Sequence, residues 1–427
     1  MDLAGNLRCL NVVTVASITE LNAMARDQVH QDAGIVTRPL LPASGMDVTG
    51  AASVSERTPI ICVSFNYSVL NTELTTNVVN TTGTVTQADS MAVLSTGVDA
   101  AGSASLRSRD SARYIGGEGL VSSYSAIFSA GAVDSKQIIG LGNSVDGLFF
   151  ADVDGVFGIL HRLSGSDSIF VPQASWSEDP CDGTGPSGLV LDPTKGNVYA
   201  SSFLWHGFGP IFFFVSDGQR FVLVHVIQYS NLNTVPHLTN PNLPFFAQVI
   251  NSGNTSDIVL RCASAGVFVQ GKDASGSLPS VGVRGCRSNT KSAITAETNL
   301  FTIRNKASNV YGGTNTSAVR IKLTGLRVSA SAGGAANIFR LVKNATLGGS
   351  PSFADFDAAT SALDVDVAGT TVAGGRERYA QSLNNNANDS IDLSPYNIVL
   401  NPGDTFTVSG SGSTSTLFAS LSWIEFP

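Results

Sequence analysis

The residues in this chain best suited to chemistry lie between Asp146 and His225. Asp179, Asp182 and Asp192 crowd one loop-rich stretch beside Trp176. Cleaving a glycosidic bond takes two carboxyl groups, one to protonate the leaving oxygen and one to attack or activate water. The competing reading makes these aspartates turn formers, most plainly in Asp192-Pro193, and the chain reads as a non-enzyme. Asp146-Gly and Asp152-Val-Asp154-Gly offer hard oxygen ligands of the type Ca²⁺ prefers, but EF-hand spacing is missing and ordinary Asp-Gly turns account for them. His161, His206 and His225 form neither H-x-H nor H-E-x-x-H, and His225 sits in an apolar strand where a satisfied core histidine is expected. No metal and no cofactor is therefore expected. The remaining candidate is a surface: Trp205-His206-Gly-Phe208-Gly-Pro210 sets aromatic rings and an imidazole among glycines, and Trp176 is the aromatic that would join them. Such rings stack on sugar faces, so Trp176, Trp205, His206 and Phe208 are the glycan-binding candidates, against the alternative that they are core. No G-x-S-x-G elbow, Walker loop or helix-opening G-x-G-x-x-G occurs.

What must hold these residues is a set of strands. From Tyr114 to Gly271 the chain writes apolar runs of strand length between Gly, Asp-Gly and Pro turns, the pattern of an antiparallel β-sandwich of jelly-roll or lectin-like type. Phe212–Val215 and Phe221–Ile227 flank Ser216-Asp-Gly-Gln-Arg220 and predict a hairpin. Residues 301–427 predict a second sandwich. In Arg320–Ala330 the apolar positions are 321 and 323, then 326 and 328, and this phase slip at Gly325 predicts a bulge. Leu417, Ala419, Leu421 and Trp423 alternate on one face of a closing strand. Residues 61–113 read as weakly specified β or linker, ending in a polar linker at 103–112, and 272–300 read as a second linker. Residues 1–60 read as an arm: Ser17-Ile-Thr-Glu20 has capping-box spacing, and Ile18, Leu21 and Met24 recur at helical intervals as its docking face. The fold class is thus mainly β, an N-terminal arm with a short helix followed by two antiparallel sandwich or jelly-roll modules.

The totals narrow the function classes. At 427 residues more than one domain is expected. Charged residues make up only 14%, below the roughly 25% of ordinary soluble domains. A β-rich chain covered by small polar side chains suits proteins that work packed against copies of themselves. The net charge is −8 and the densest basic group, Arg107, Arg109 and Arg113, is broken by Asp110, so nucleic acid is not an expected partner. The five cysteines, Cys9, Cys62, Cys181, Cys262 and Cys286, form no C-x-x-C pair and read as free thiols, with Cys262–Cys286 the one disulfide considered. No secretory signal and no stretch able to span a bilayer is read, so membrane insertion is not expected.

Phe128-Ser-Ala-Gly131, Gln137-Ile-Ile-Gly-Leu-Gly142, Asp146-Gly-Leu-Phe-Phe150, Phe157-Gly-Ile-Leu-His-Arg162, Pro172-Gln-Ala-Ser-Trp176 and Gly185–Pro193 together resemble a module of structural proteins of tailed phages and large DNA viruses. Leu393–Asp404 with Ala419–Glu425 resembles the closing β-domain often found with it. The resemblance spans most of the chain and its motifs are structural, so it carries no catalytic residue. It implies a virion component assembled in the host cytoplasm: a tail fibre, baseplate or other adsorption part. Such a part is a homo-oligomer, on this reading a trimer, docks on other virion proteins through the arm and presents loops to a host-surface glycan. The alternatives are a capsid-surface decoration or minor capsid protein that cements the shell, and a carbohydrate-cleaving tailspike.

Overall fold

The inward side chains of the first module alternate with outward ones along almost every strand, and two sheets close over them. In the computed structural model the described residues are 57–67, 75–114, 116–270, 283–306, 309–311, 314–316, 319–331, 337–357, 361–396 and 398–426. The arm residues Ile18, Leu21 and Met24 lie outside them. One sheet has nine strands, running Phe221–Ile227, Ile211–Ser216, Asn197–Phe203, Gly119–Phe128, Val259–Cys262, Met91–Ser95 and Thr84–Ala88, with Ser264–Gln270 also on Gly119–Phe128 and Arg57–Ser64 on Ser264–Gln270. The facing sheet has seven: Ser166–Pro172, Val156–Leu163, Gly147–Val153, Ser135–Gly142, Leu243–Asn251, Ser103–Ala112 and Thr75–Asn80. All of these pairings are antiparallel.

Tyr124, Phe128, Tyr199, Phe203 and Phe213 point inward from the first sheet, and Leu141, Leu148, Phe150 and Ile159 meet them from the second. Phe150 anchors the cluster, its ring 4.6 Å from Tyr199 and 5.6 Å from Phe213. Offset and edge-on packing of this kind adds to the burial of large apolar area.

The predicted hairpin is present, with Ser216 paired to Phe221. Its second strand does not keep strict alternation, because the register shifts between Phe213 and Phe214. The short 61–113 strands belong to the sandwich: Ile61, Leu94 and Leu106 are core. The reading of 103–112 as a linker is therefore corrected. Its inward residues are Ala104, Leu106 and Ser108, small enough to hide a strand pattern, and it pairs with Leu243–Asn251, far along the chain.

The second module repeats the principle. One sheet runs Val283–Ile294, Ser415–Phe426, Arg320–Ser331 and Ala387–Asp392, with Val399–Leu400 beside Arg320–Ser331. The other runs Ala354–Asp355, Leu363–Asp366, Thr298–Asn305, Thr405–Ser411, Asn337–Lys343 and Arg376–Leu383. Phe301, Phe339, Phe406 and Trp423 fill the space between them. Leu417, Ala419, Leu421 and Trp423 are all buried, as their alternation predicts, and the register shifts between Leu323 and Gly325 where the phase slip predicts a bulge. The linker reading of 272–300 is corrected over 283–300, because Val283–Ile294 is a full edge strand whose mostly polar side chains face out. Between the modules, the Arg113 guanidinium lies 4.1 Å from the Phe426 ring centre, and Arg320–Asp110 and Arg109–Asp404 approach to 3.7 Å and 3.8 Å.

Candidate functional site

Trp205 to Pro210 joins Asn197–Phe203 to Ile211–Ser216 at one end of the first sandwich. The turn is tight: a Cβ on Gly209 would sit 1.8 Å from the Leu204 carbonyl oxygen, and the Gly209 N–H donates to Trp205 O at 3.0 Å. His206 is exposed with φ of 34°, in the left-handed region that side chains avoid, and Gly207 follows at 80°.

A second loop, from Tyr229 to Asn242, lies against the first and is braced from beneath. The Trp205 indole N–H donates to Leu238 O at 3.2 Å, and the His237 N–H donates to Gly207 O at 2.8 Å. His161 donates from Nε2 to the His237 carbonyl at 2.6 Å, which sets its tautomer. Asp146 accepts from the Thr239 hydroxyl and from the Asn240 N–H. Tyr229 and His237 are buried between these supports, their rings 5.5 Å apart. Burial lowers the pKa of His161, and that of His237 to about 4, so both stay neutral. The exposed surface that this bracing carries includes His206, Leu232 at 70% exposure and Val235 at 54%, among exposed Asn231, Asn233, Thr234 and Pro236.

Of the candidate aromatics, Trp205 and Phe208 are half-buried in this loop pair, and His206 is exposed beside them. Trp176 is not part of the group. It is 5% exposed and edge-packed on Phe150 and Phe157, 5.9 Å and 6.1 Å between ring centres, so no face is open to a sugar. The glycan role assigned to Trp176 is therefore corrected to core packing. Trp205 also spends its indole N–H internally and meets Tyr114 edge-on at 5.8 Å. Sequence reasoning missed Leu232 and Val235, since an isolated Leu and Val among Asn, Thr and Pro give no periodic signal.

The aspartates are turn builders. Asp182 and Asp192 each accept from the N–H and hydroxyl of a threonine two residues on, and these bonds hold both carboxyls below the usual range. Burial pushes the Asp179 carboxyl up, but bonds from Ser187 and Cys181 outweigh it and the net shift is downward. None of the three is placed to carry a proton at neutral pH. Asp154 accepts from the Asp134 N–H, and Asp152 from the Gly155 N–H. Among the described residues no group of three or more His, Cys, Asp or Glu side chains converges on a metal position. His225 is a core histidine, its Nδ1 accepting from the Ser177 N–H at 3.0 Å. Cys62, Cys181, Cys262 and Cys286 are free thiols, so the Cys262–Cys286 bridge is absent.

No family model and no curated protein matches the chain. Solved structures similar to it include the carbohydrate recognition domain of Emp47p, with 10% identity, a TM-score of 0.30, and coverage of 48% of this chain and 96% of that one. Bacillus licheniformis β-glucanase gives 14%, 0.32, 49% and 97% in the same order. A family 16 glycosyl hydrolase from Mycobacterium smegmatis gives 13%, 0.35, 49% and 100%. At these scores they transfer no residue and no activity to this chain.

Proposed function

We propose that this chain is a non-catalytic structural protein of a virus particle, a tail-fibre, baseplate or similar adsorption component that oligomerises and binds host-surface glycan. The observation that carries the assembly part is the sheet edge at Thr75–Asn80. This strand ends the seven-stranded sheet, and Val78 and Val79 on it are 68% and 47% exposed. An exposed edge with two adjacent valines and no charge invites pairing with another chain, which natural monomers usually guard against. The braced loops carrying His206, Leu232 and Val235 support the attachment part, since a rigid scaffold with a projecting tip is how binding loops are presented. The virion setting rests on the resemblance of the 128–193 motifs.

Size-exclusion chromatography with light scattering tests the assembly. A trimer or other defined oligomer is expected for the full chain, and a Val78→Lys, Val79→Lys double variant should shift it toward monomer. A strict monomer at high concentration that also fails to bind particles would overturn the proposal. Localisation in imaged particles separates an adsorption part from a shell-cementing one.

A second reading, glycan cleavage, is favoured by Asp152. Burial raises its pKa, the direction a general acid requires, and neighbouring Asp154 adds to the shift. Release of reducing sugar from host polysaccharide, lost in Asp152→Asn, would establish it.

A further inference from the structure

The nine-stranded sheet has an outer face, turned away from the core, on which Arg57–Ser64, Ser264–Gln270, Gly119–Phe128 and Asn197–Phe203 lie side by side. Their register sets Cys62 opposite Gly266, Gly266 opposite Ser123, and Ser123 opposite Ala200. A row of small residues crossing adjacent strands leaves a shallow trough of about 390 Å³. Its walls include Ser64, Ser125, Ser264, Val198 and Phe268.

The glycine shapes this trough. A Cβ at Gly266 would lie 2.9 Å from Cε2 and Cζ of Phe268, so only glycine lets the Phe268 ring bend along the sheet over position 266. That ring stays half-buried and forms an aromatic wall. Ser125 Oγ accepts the Ala263 and Ser264 N–H groups at 2.9 Å and 3.3 Å and also bonds the Cys262 side chain, so it is a fixed polar wall of the trough. The Ser123 and Ser264 hydroxyls take no partner among the described residues. No Asp, Glu, Lys, Arg or His lines the trough.

An aromatic wall, the uncommitted Ser123 and Ser264 hydroxyls and no charge suit one ligand chemistry well. A charged ligand would lose water without gaining a counterion, and a wholly apolar ligand would strand the serine hydroxyls. A neutral pyranose ring satisfies both, packing its C–H face on Phe268 while its hydroxyls exchange hydrogen bonds with the serines. We propose that this trough is a binding site for a neutral hexose unit of a polysaccharide. The inference deepens the glycan-binding reading above and rests on it, while placing a contact on the sheet face, away from the Trp205 loop.

Cys62 provides the measurement, being an exposed free thiol on the trough. Its rate of maleimide modification in the full chain, read by peptide mass mapping, is compared with and without neutral tetrasaccharides of glucose, galactose or mannose. At least one should slow Cys62 five-fold or more while leaving exposed Cys286 unchanged. Phe268→Ala should remove the protection, and so should Ser264→Glu, a substitution at an exposed position that fills the trough with a charge without touching the core. Unchanged Cys62 reactivity in a chain that still binds glycans on an array would overturn the trough and leave the glycan reading standing. Absence of both protection and array binding would overturn both. Equal protection by an oligogalacturonate would overturn the neutral assignment.

Discussion

The indole N–H of Trp205 donates to the carbonyl of Leu238 at 3.2 Å, tying the tip-bearing loop of one sheet connection to the loop that follows the next hairpin. This bond, with His161 and Asp146 acting from below, converts two long connections into one rigid end surface. Trp205→Phe keeps the aromatic contact with Tyr114 and loses the bond. A loss of about 1 kcal/mol is expected, with faster amide exchange confined to residues 204–210 and 230–238. Trp176→Ala, by contrast, opens a core cavity and should cost about 3–5 kcal/mol with loss of global protection. Equal effects of the two substitutions would contradict the assignment of one to a loop brace and the other to the core.

Acid should destabilise the first module through its buried histidines. His161, His225 and His237 all have folded pKa values lowered by burial, His237 to about 4 from an ordinary 6.5. Between these values the unfolded chain binds the extra proton, so the stabilisation is complete above about pH 6.5 and is lost as pH falls toward 4. His237 alone should account for up to about 3 kcal/mol. His237→Phe preserves ring packing against Phe203 and Tyr229 and should flatten the fall in Tm between pH 6.5 and 4. An unaltered pH profile would show that His237 is hydrated in solution.

Asp404 and Lys343 form a buried pair in the second module, 2.9 Å apart with side chains 4% and 6% exposed. Asn344 and the Asn401 N–H complete the carboxylate's bonds. Asp404→Ala removes all of these acceptor contacts and should cost about 3–5 kcal/mol. Denaturant titration should show that loss as a shift of midpoint, with the second module affected first.

Thiol chemistry should divide the four described cysteines cleanly. Cys62 and Cys286 are exposed, whereas burial pushes the Cys181 and Cys262 thiols up to about 12. In native protein a thiol reagent should modify Cys62 and Cys286 within minutes and reach Cys181 and Cys262 only on unfolding. Rapid native reaction at Cys181 would show that the 177–192 loop opens readily.

The alternation of Leu417, Ala419, Leu421 and Trp423, the turn at Ser216–Arg220 and the phase slip at Gly325 were legible without any structure, because strand period, turn chemistry and bulges are local properties of the backbone. The strands at Ser103–Ala112 and Val283–Ile294 were not. Their side chains are small or polar, and they are strands because partners far along the chain, Leu243–Asn251 and Ser415–Phe426, supply their hydrogen bonds. The same limit applied to the candidate site. Residue type marked both Trp176 and Trp205 as able to meet a sugar, but only the packing of Phe150 and Phe157 decided that one ring is enclosed, and only the register of Cys62, Gly266 and Ser123 brought a trough into being. Local pattern determines which residues form a strand. Burial, and the surface left over from it, depends on which distant layer closes over each face.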